Sequence, residues 1–217
     1  MFTNRFQTWV RRRAQALAGW LGRLPITPNQ VTVAGVAVAF FAAGLVATGN
    51  LLVGGVVLAL GGTFDILDGA LARATKRSYP FGAFLDSTTD RYSEAAIYLG
   101  IVMFFLGRPN PRPAVVGAIL AIIGSLLVSY VRARAQSLGF KCESGLFARP
   151  ERVVATVAGL VLGASVLFWV VWVLAVLTNV TAAQRIFEVW GQAREQRRVR
   201  EKATAPILQG SSPETGQ

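Results

Sequence analysis

The chain of 217 residues is 53% hydrophobic and only 15% charged, with a mean hydropathy of +0.48; soluble domains carry roughly 25% charge, so an ordinary water-soluble enzyme is excluded and a membrane domain is indicated. The net charge of +11 comes from 22 basic and 11 acidic residues, and in so apolar a chain it suits anionic lipid headgroups and phosphorylated substrates rather than nucleic acid. There is no histidine, and Cys142 is the one cysteine; this excludes an internal disulfide, removes the commonest metal ligand and general base, and leaves such chemistry to carboxylates.

Residues 1–24 mix aromatic and aliphatic residues with arginine. Phe6, Trp9, Val10, Leu17 and Trp20 can share one helix face with Arg11, Arg12 and Arg13 opposite. This predicts an interfacial amphipathic helix on an anionic leaflet. The apolar stretch that follows the arginines is broken by Gly19 and Arg23 and lacks a small-residue cleavage pattern, unlike a signal peptide. Pro25 and Pro28 in "LPITPNQVT" then end this element.

Val31 to Phe64 is 34 residues without a charge, too long for one crossing of about 20 residues, so it predicts two spans turning near Gly49-Asn50. The spans are expected at about Gln30–Thr48, Leu51–Ala74, Ala83–Leu106 and Ala114–Gln136. Val153 to Thr178 is 26 apolar or neutral residues, about 39 Å as helix, which is long for one crossing and short for two.

Charge bias decides that case. Basic residues crowd the N-terminus, the loop with Arg73, Lys76 and Arg77, the segment from Arg132 to Arg152, and the C-terminus from Arg194 to Lys202. The positive-inside rule places all four on the cytoplasmic side, so the number of crossings is even. The last stretch is therefore predicted to cross twice, turning near Gly163-Ala164-Ser165 and extending to about Arg194. The loop "GRPNPRP", with Arg108 and Arg112, runs against the rule. The expected organisation is residues 1–24 as interfacial helix, 25–194 as a six-helix all-α membrane domain and 195–217 as a basic, then disordered tail. The protein is thus expected in the cytoplasmic membrane, with both termini on the cytoplasmic side.

All four aspartates of the chain lie within "FDILDGALARATKRSYPFGAFLDSTTDR". Asp65 and Asp68 are i,i+3 neighbours and Asp86 and Asp90 are i,i+4 neighbours, so each pair faces one way. The basic segment between them turns the chain and lets the pairs face each other at one depth. Each carboxylate within a span costs about 2.5–3.5 kcal/mol on insertion scales. Two divalent cations would offset four negative charges, and an oxygen-only ligand set favours Mg²⁺ or Mn²⁺. Two such ions can also grip a diphosphate. Gly69, Ala72 and Gly82 lie within a turn of the aspartates, and small residues there permit either close ligand approach or close helix packing.

The run Asp65-x2-Asp68-Gly69-x2-Ala72-Arg73-x8-Gly82-x3-Asp86-x3-Asp90 resembles the full signature of the CDP-alcohol phosphotransferase family. The resemblance extends over roughly Pro25 to Gln192. It implies a six-helix membrane fold, a homodimer, a metal site open to the cytoplasm, and displacement of CMP from a CDP-linked lipid such as CDP-diacylglycerol by an alcohol. By the same resemblance Asp65, Asp68 and Asp86 ligate the metals. Asp90 lies at the metals as general base, and Gly69, Ala72, Arg73 and Gly82 line the CDP-lipid site with Asp65 and Asp68.

Arg132, Arg134, Arg149 and Arg152 are expected near the same face, with Arg185 near the end of the last span. Guanidinium groups bind phosphate through paired hydrogen bonds, so the acceptor is expected to carry a phosphate. Here "RAR", "RPER" and the late arginine resemble the phosphatidylinositol-phosphate synthases of bacteria and their archaeal relatives. That likeness implies a pocket for inositol phosphate made by Arg132, Arg149, Arg152 and Arg185, with Glu151 placed to orient Arg149 or Arg152. Some relatives have lysine where Arg132 stands. Glycerol 3-phosphate is the alternative acceptor, and a divalent-cation transporter is the rival from another class, since acidic rings also bind cations.

Overall fold

A computed structural model describes residues 26–75, 79–142, 144–145 and 149–209, with side chains as far as Glu201. The expected interfacial helix of residues 1–24 lies outside the described residues. Those described form six helices and no strand: α1 (Pro28–Ala47), α2 (Leu51–Ala74), α3 (Pro80–Leu106), α4 (Arg112–Ser137), α5 (Arg149–Leu162) and α6 (Ala164–Gln209).

Local chemistry explains where they start and stop. The Thr27 hydroxyl accepts a hydrogen bond from the Gln30 amide, and the Gln30 side chain accepts one from the Thr27 amide, a reciprocal cap with Pro28 in the first turn. Gly49, at φ +91°, reverses the chain between α1 and α2. Pro80 and Pro113 sit in the first turns of α3 and α4, where a missing N–H costs nothing. Gly163, at φ +99°, separates α5 from α6, where the turn was expected.

Four stretches are long and apolar enough to cross a bilayer: α1, α2, α4 and Ala164–Glu201 of α6. The first half of α3 carries Asp86, Asp90, Arg91 and Glu94, and α5 has only 14 residues, about 21 Å against a hydrocarbon core of about 30 Å. Large apolar side chains point outward, among them Phe41, Leu99, Met103 and Trp169. This is an all-α membrane protein, with its apolar surface turned to lipid.

One expected boundary moves. α6 runs 46 residues to Gln209, past Arg194 and into the segment expected to be disordered. "AREQRRVREKA" is rich in strong helix formers, and Arg197 pairs with Glu201 one turn on at 2.8 Å.

α2 and α3 pack chiefly against α1, α5 packs on α2 and α6, and α4 packs on α3 and α6. The close approaches depend on small residues: a Cβ at Gly100 of α3 would lie 2.5 Å from the Ala43 carbonyl of α1. The main apolar core, with Val46, Ile101, Phe104, Ala118, Leu160 and Leu174, lies toward the α1–α2 and α5–α6 turns. Arg108, against the charge rule, stacks 4.6 Å over Phe104. The aspartates are at the opposite end.

At that end the segment after α4 is fastened to α6. Gln192 exchanges hydrogen bonds with the Lys141 amide and carbonyl, at 3.0 and 2.7 Å. Ser144 donates through its amide and hydroxyl to Glu188 Oε2, at 3.2 and 2.5 Å.

Candidate active site

Asp65 and Asp68 sit in the last turns of α2, and Asp86 and Asp90 in the first turns of α3. Asp65, Asp86 and Asp90 each offer an oxygen within 4.8 Å of the others. At an effective dielectric of about 20, two unit charges at that spacing repel by about 3 kcal/mol. Such a cluster persists only with positive charge beside it. α5 supplies some: Arg149 places NH1 2.8 Å from Asp65 Oδ2 and NH2 2.6 Å from Asp90 Oδ1. Arg91 lies 3.6 Å from Asp90 Oδ2. Asp86 has no ion pair among the described residues. An oxygen-only donor set with excess negative charge fits a hard divalent cation.

Asp68 stands apart from the other three. It is buried, and its Oδ2 accepts a 2.6 Å hydrogen bond from the Thr32 hydroxyl of α1. Asp68 is one turn beyond Asp65, and the helix rotation over three residues aims it toward α1. Thr32 was not singled out from the sequence; its hydroxyl within an apolar span was the available signal.

Gly69 and Gly82 are not demanded by packing. Among the described residues, a Cβ at Gly69 would meet nothing nearer than the Arg73 guanidinium at 3.5 Å, and one at Gly82 nothing nearer than Asn29 Oδ1 at 3.5 Å. Ala72 is half-buried and Arg73 exposed.

Three of the four arginines expected in one phosphate pocket are held by different partners. Arg149 meets aspartates. Arg152 is 2% exposed and holds Glu94 with two prongs, Nε to Oε1 at 2.8 Å and NH2 to Oε2 at 3.2 Å. Arg185 is buried and donates from Nε to the Ser144 carbonyl at 2.8 Å and from NH1 to the Val128 carbonyl at 2.6 Å. Arg132 is exposed at the end of α4. Glu151 does not orient its neighbours: it is exposed, while Glu94, Asp65 and Asp90 hold them. A guanidinium at membrane depth takes the nearest buried acid, and Glu151 faces away. The signal for Glu94 was its place one turn after Asp90.

A cleft between α1, α2, α3 and α5 runs from these charges into apolar surroundings. Asp65, Glu94, Arg149 and Arg152 line one part, and Ala39, Leu58, Ile97 and Tyr98 another. Such a lining suits an amphiphile with a charged head.

The model of the CDP-alcohol phosphatidyltransferase family matches residues 25–183, which take in the four aspartates, Glu94, Arg149 and Arg152. The chain belongs to the CDP-alcohol phosphatidyltransferase family. Relatives similar to this family member include the phosphatidylinositol phosphate synthase of Mycobacteroides abscessus, 39% identical over 179 residues that cover 80% of this chain and 81% of that protein. The archaetidylinositol phosphate synthase of Methanothermobacter thermautotrophicus is 38% identical over 191 residues, 86% and 93% of the two chains. Among solved structures, the phosphatidylinositol phosphate synthase of Mycobacterium tuberculosis with CDP-DAG bound superposes with a TM-score of 0.78 at 32% identity, covering 82% of this chain and 94% of that one. The same synthase in complex with manganese and citrate gives a TM-score of 0.77 at 32% identity, covering 82% and 88%.

Proposed function

We propose that this CDP-alcohol phosphotransferase moves the phosphatidyl group of CDP-diacylglycerol to a hydroxyl of inositol phosphate and releases CMP. The observation that carries it is the meeting of Asp65, Asp86 and Asp90, with Asp65 lining a charged-to-apolar cleft, in a chain similar to inositol-phosphate synthases.

Asp65, Asp68, Asp86 and Asp90 would hold two Mg²⁺ or Mn²⁺ ions, which when bound neutralise the diphosphate and polarise its phosphorus. Asp90 is the general base. It takes the proton of the acceptor hydroxyl as that oxygen bonds to the phosphorus bearing the diacylglycerol, and the bond to the bridging oxygen breaks to leave CMP. Gly69 and Gly82 let the diphosphate approach the backbone, with Ala72 and Arg73 beside it. The acceptor enters from the α5 side, where Arg132 and Arg149 face its phosphate and Arg152 and Arg185 hold the surrounding backbone and helices in place.

In the same reading all six helices cross the cytoplasmic membrane, and residues 25–194 form the catalytic domain. The active site opens to the cytoplasm, and two copies form a homodimer. The arginine distribution supports the orientation, and the family resemblance supports the dimer.

The test is purified protein with CDP-diacylglycerol, Mg²⁺ or Mn²⁺, and a panel of alcohols. CMP release with inositol phosphate is expected. Release only with glycerol 3-phosphate or serine would replace the acceptor, and no release with any alcohol would defeat the proposal.

A further inference from the structure

Asp90 and Glu94 are one turn apart on α3, and Arg149 and Arg152 share a face of α5. Both helices run inward from the same end of the bundle, so the four residues meet as two rungs. The outer rung joins Arg149 to Asp90 at 2.6 Å, with side chains 28% and 11% exposed. The inner rung joins Arg152 to Glu94 at 2.8 Å, with side chains 2% and 9% exposed.

The inner rung is costly, because both charges leave water, and an apolar pair would hold the helices together as well. What an apolar pair lacks is direction. A fork seated on both oxygens of a carboxylate fixes the rotation and depth of its helix. α5 needs this. It is the shortest of the described helices, and its far end is set by close packing: a Cβ at Gly55 of α2 would lie 3.0 Å from Leu160 Cβ, and one at Gly159 would lie 3.2 Å from Leu167 Cδ1 of α6. Its near end, which carries Arg149, is held by the rungs.

The geometry points to Glu94 as a positioning residue for the acceptor side: through the buried fork of Arg152 it sets where Arg149 stands against the aspartates. Glu94 itself touches no reacting atom. Gly69, Ala72, Arg73 and Gly82, assigned to the nucleotide and diphosphate, lie on α2 and the start of α3, so a shift of α5 disturbs the acceptor more than the nucleotide. This inference rests on the reading of the α5 side as the acceptor side.

The experiment compares wild type, Glu94→Gln and Glu94→Asp in one detergent. Glu94→Gln keeps the shape but loses the charge and one of two acceptor oxygens. A tenfold or larger rise in KM for inositol phosphate is expected, with KM for CDP-diacylglycerol and Mn²⁺ binding followed by electron paramagnetic resonance within twofold of wild type. Glu94→Asp should recover part of the loss. Equal rises in both KM values, or no rise in a folded variant, overturn the proposal. Should Glu94→Gln fail to fold, the doubly neutral Glu94→Gln/Arg152→Gln variant replaces it, and an unchanged acceptor KM there is equally fatal. A second arm needs no turnover: amide hydrogen exchange in α5 should quicken at least tenfold in Glu94→Gln while α1 stays as in wild type. Unchanged exchange in α5 overturns the inference even if the proposed reaction stands, and a wild type that releases no CMP defeats the reaction while leaving this arm to decide the positioning role.

Discussion

The Thr32 hydroxyl on α1 donates a 2.6 Å hydrogen bond to Asp68 Oδ2 on α2, and both residues are buried. The Pro28 carbonyl, one turn back, lies 3.2 Å from the same hydroxyl. The first turn of α1 therefore determines where one of the four aspartates points. A hydrogen bond to a charged group is worth about 1.5–3 kcal/mol. Thr32→Val keeps the shape and removes the donor. It is expected to raise the Mn²⁺ concentration needed for half-maximal CMP release by roughly tenfold, which is the low end of that range. An unchanged titration midpoint would detach Asp68 from the metal site.

Asp90 is assigned the acceptor proton. Asp90→Asn keeps the shape but cannot take a proton, and general bases contribute about 10²–10⁴ in rate. CMP release should fall by at least 10² while the variant still binds CDP-diacylglycerol, measured by equilibrium binding to detergent-solubilised protein. Near-wild-type turnover would move the base elsewhere.

Removal of divalent ions is expected to abolish turnover. EDTA should stop CMP release, and added Mg²⁺ or Mn²⁺ should restore it, because the donor set is all oxygen. Activity that survives complete chelation would end the metal-dependent mechanism.

Two glycines on the same helix are expected to fail differently. Gly100→Ala of α3 drives a Cβ to 2.5 Å from the Ala43 carbonyl, and backbone cannot yield cheaply, so overpacking should cost about 1–3 kcal/mol and lower the unfolding temperature. Gly82→Ala meets no atom of the described residues within 3.4 Å; its unfolding temperature should hold while KM for CDP-diacylglycerol rises. Loss of stability at Gly82 with normal substrate affinity would make that glycine structural.

Cys142 can report on the clasp between the α4–α5 segment and α6. It is 1% exposed, and burial raises its thiol pKa above the usual value, so less thiolate is present at neutral pH. Wild type should react slowly with maleimide. Gln192→Ala removes both bonds to Lys141 and should speed labelling severalfold, followed by mass spectrometry. Equal labelling rates would show that the clasp does not guard this segment.

Much of the fold is legible in the linear chain. Leu51–Ala74 is found with the bounds expected of it, and the break at Gly163 falls where charge bias requires a turn. Both follow from hydropathy and glycine, which act over a few residues. The extension of α6 to Gln209 was missed because Pro, Gly and Ser in the stretch from Ala203 were read as disorder, whereas the Arg, Glu, Gln and Ala before it are strong helix formers that carry the helix onward. The four aspartates were visible through spacing, and their meeting follows from a chain reversal between two helices.

The pairing of charges was not visible. Spacing puts Arg149 and Arg152 on one face of a helix, but nothing local says that Arg149 finds Asp65 and Asp90 or that Arg152 finds Glu94 instead of Glu151. The amino-acid order by itself determined the helices, their turns and the collection of carboxylates, because periodicity and turn chemistry reach only about one helical turn. The tertiary structure decided which cation meets which acid, since that depends on the rotation and depth of helices packed far apart in sequence.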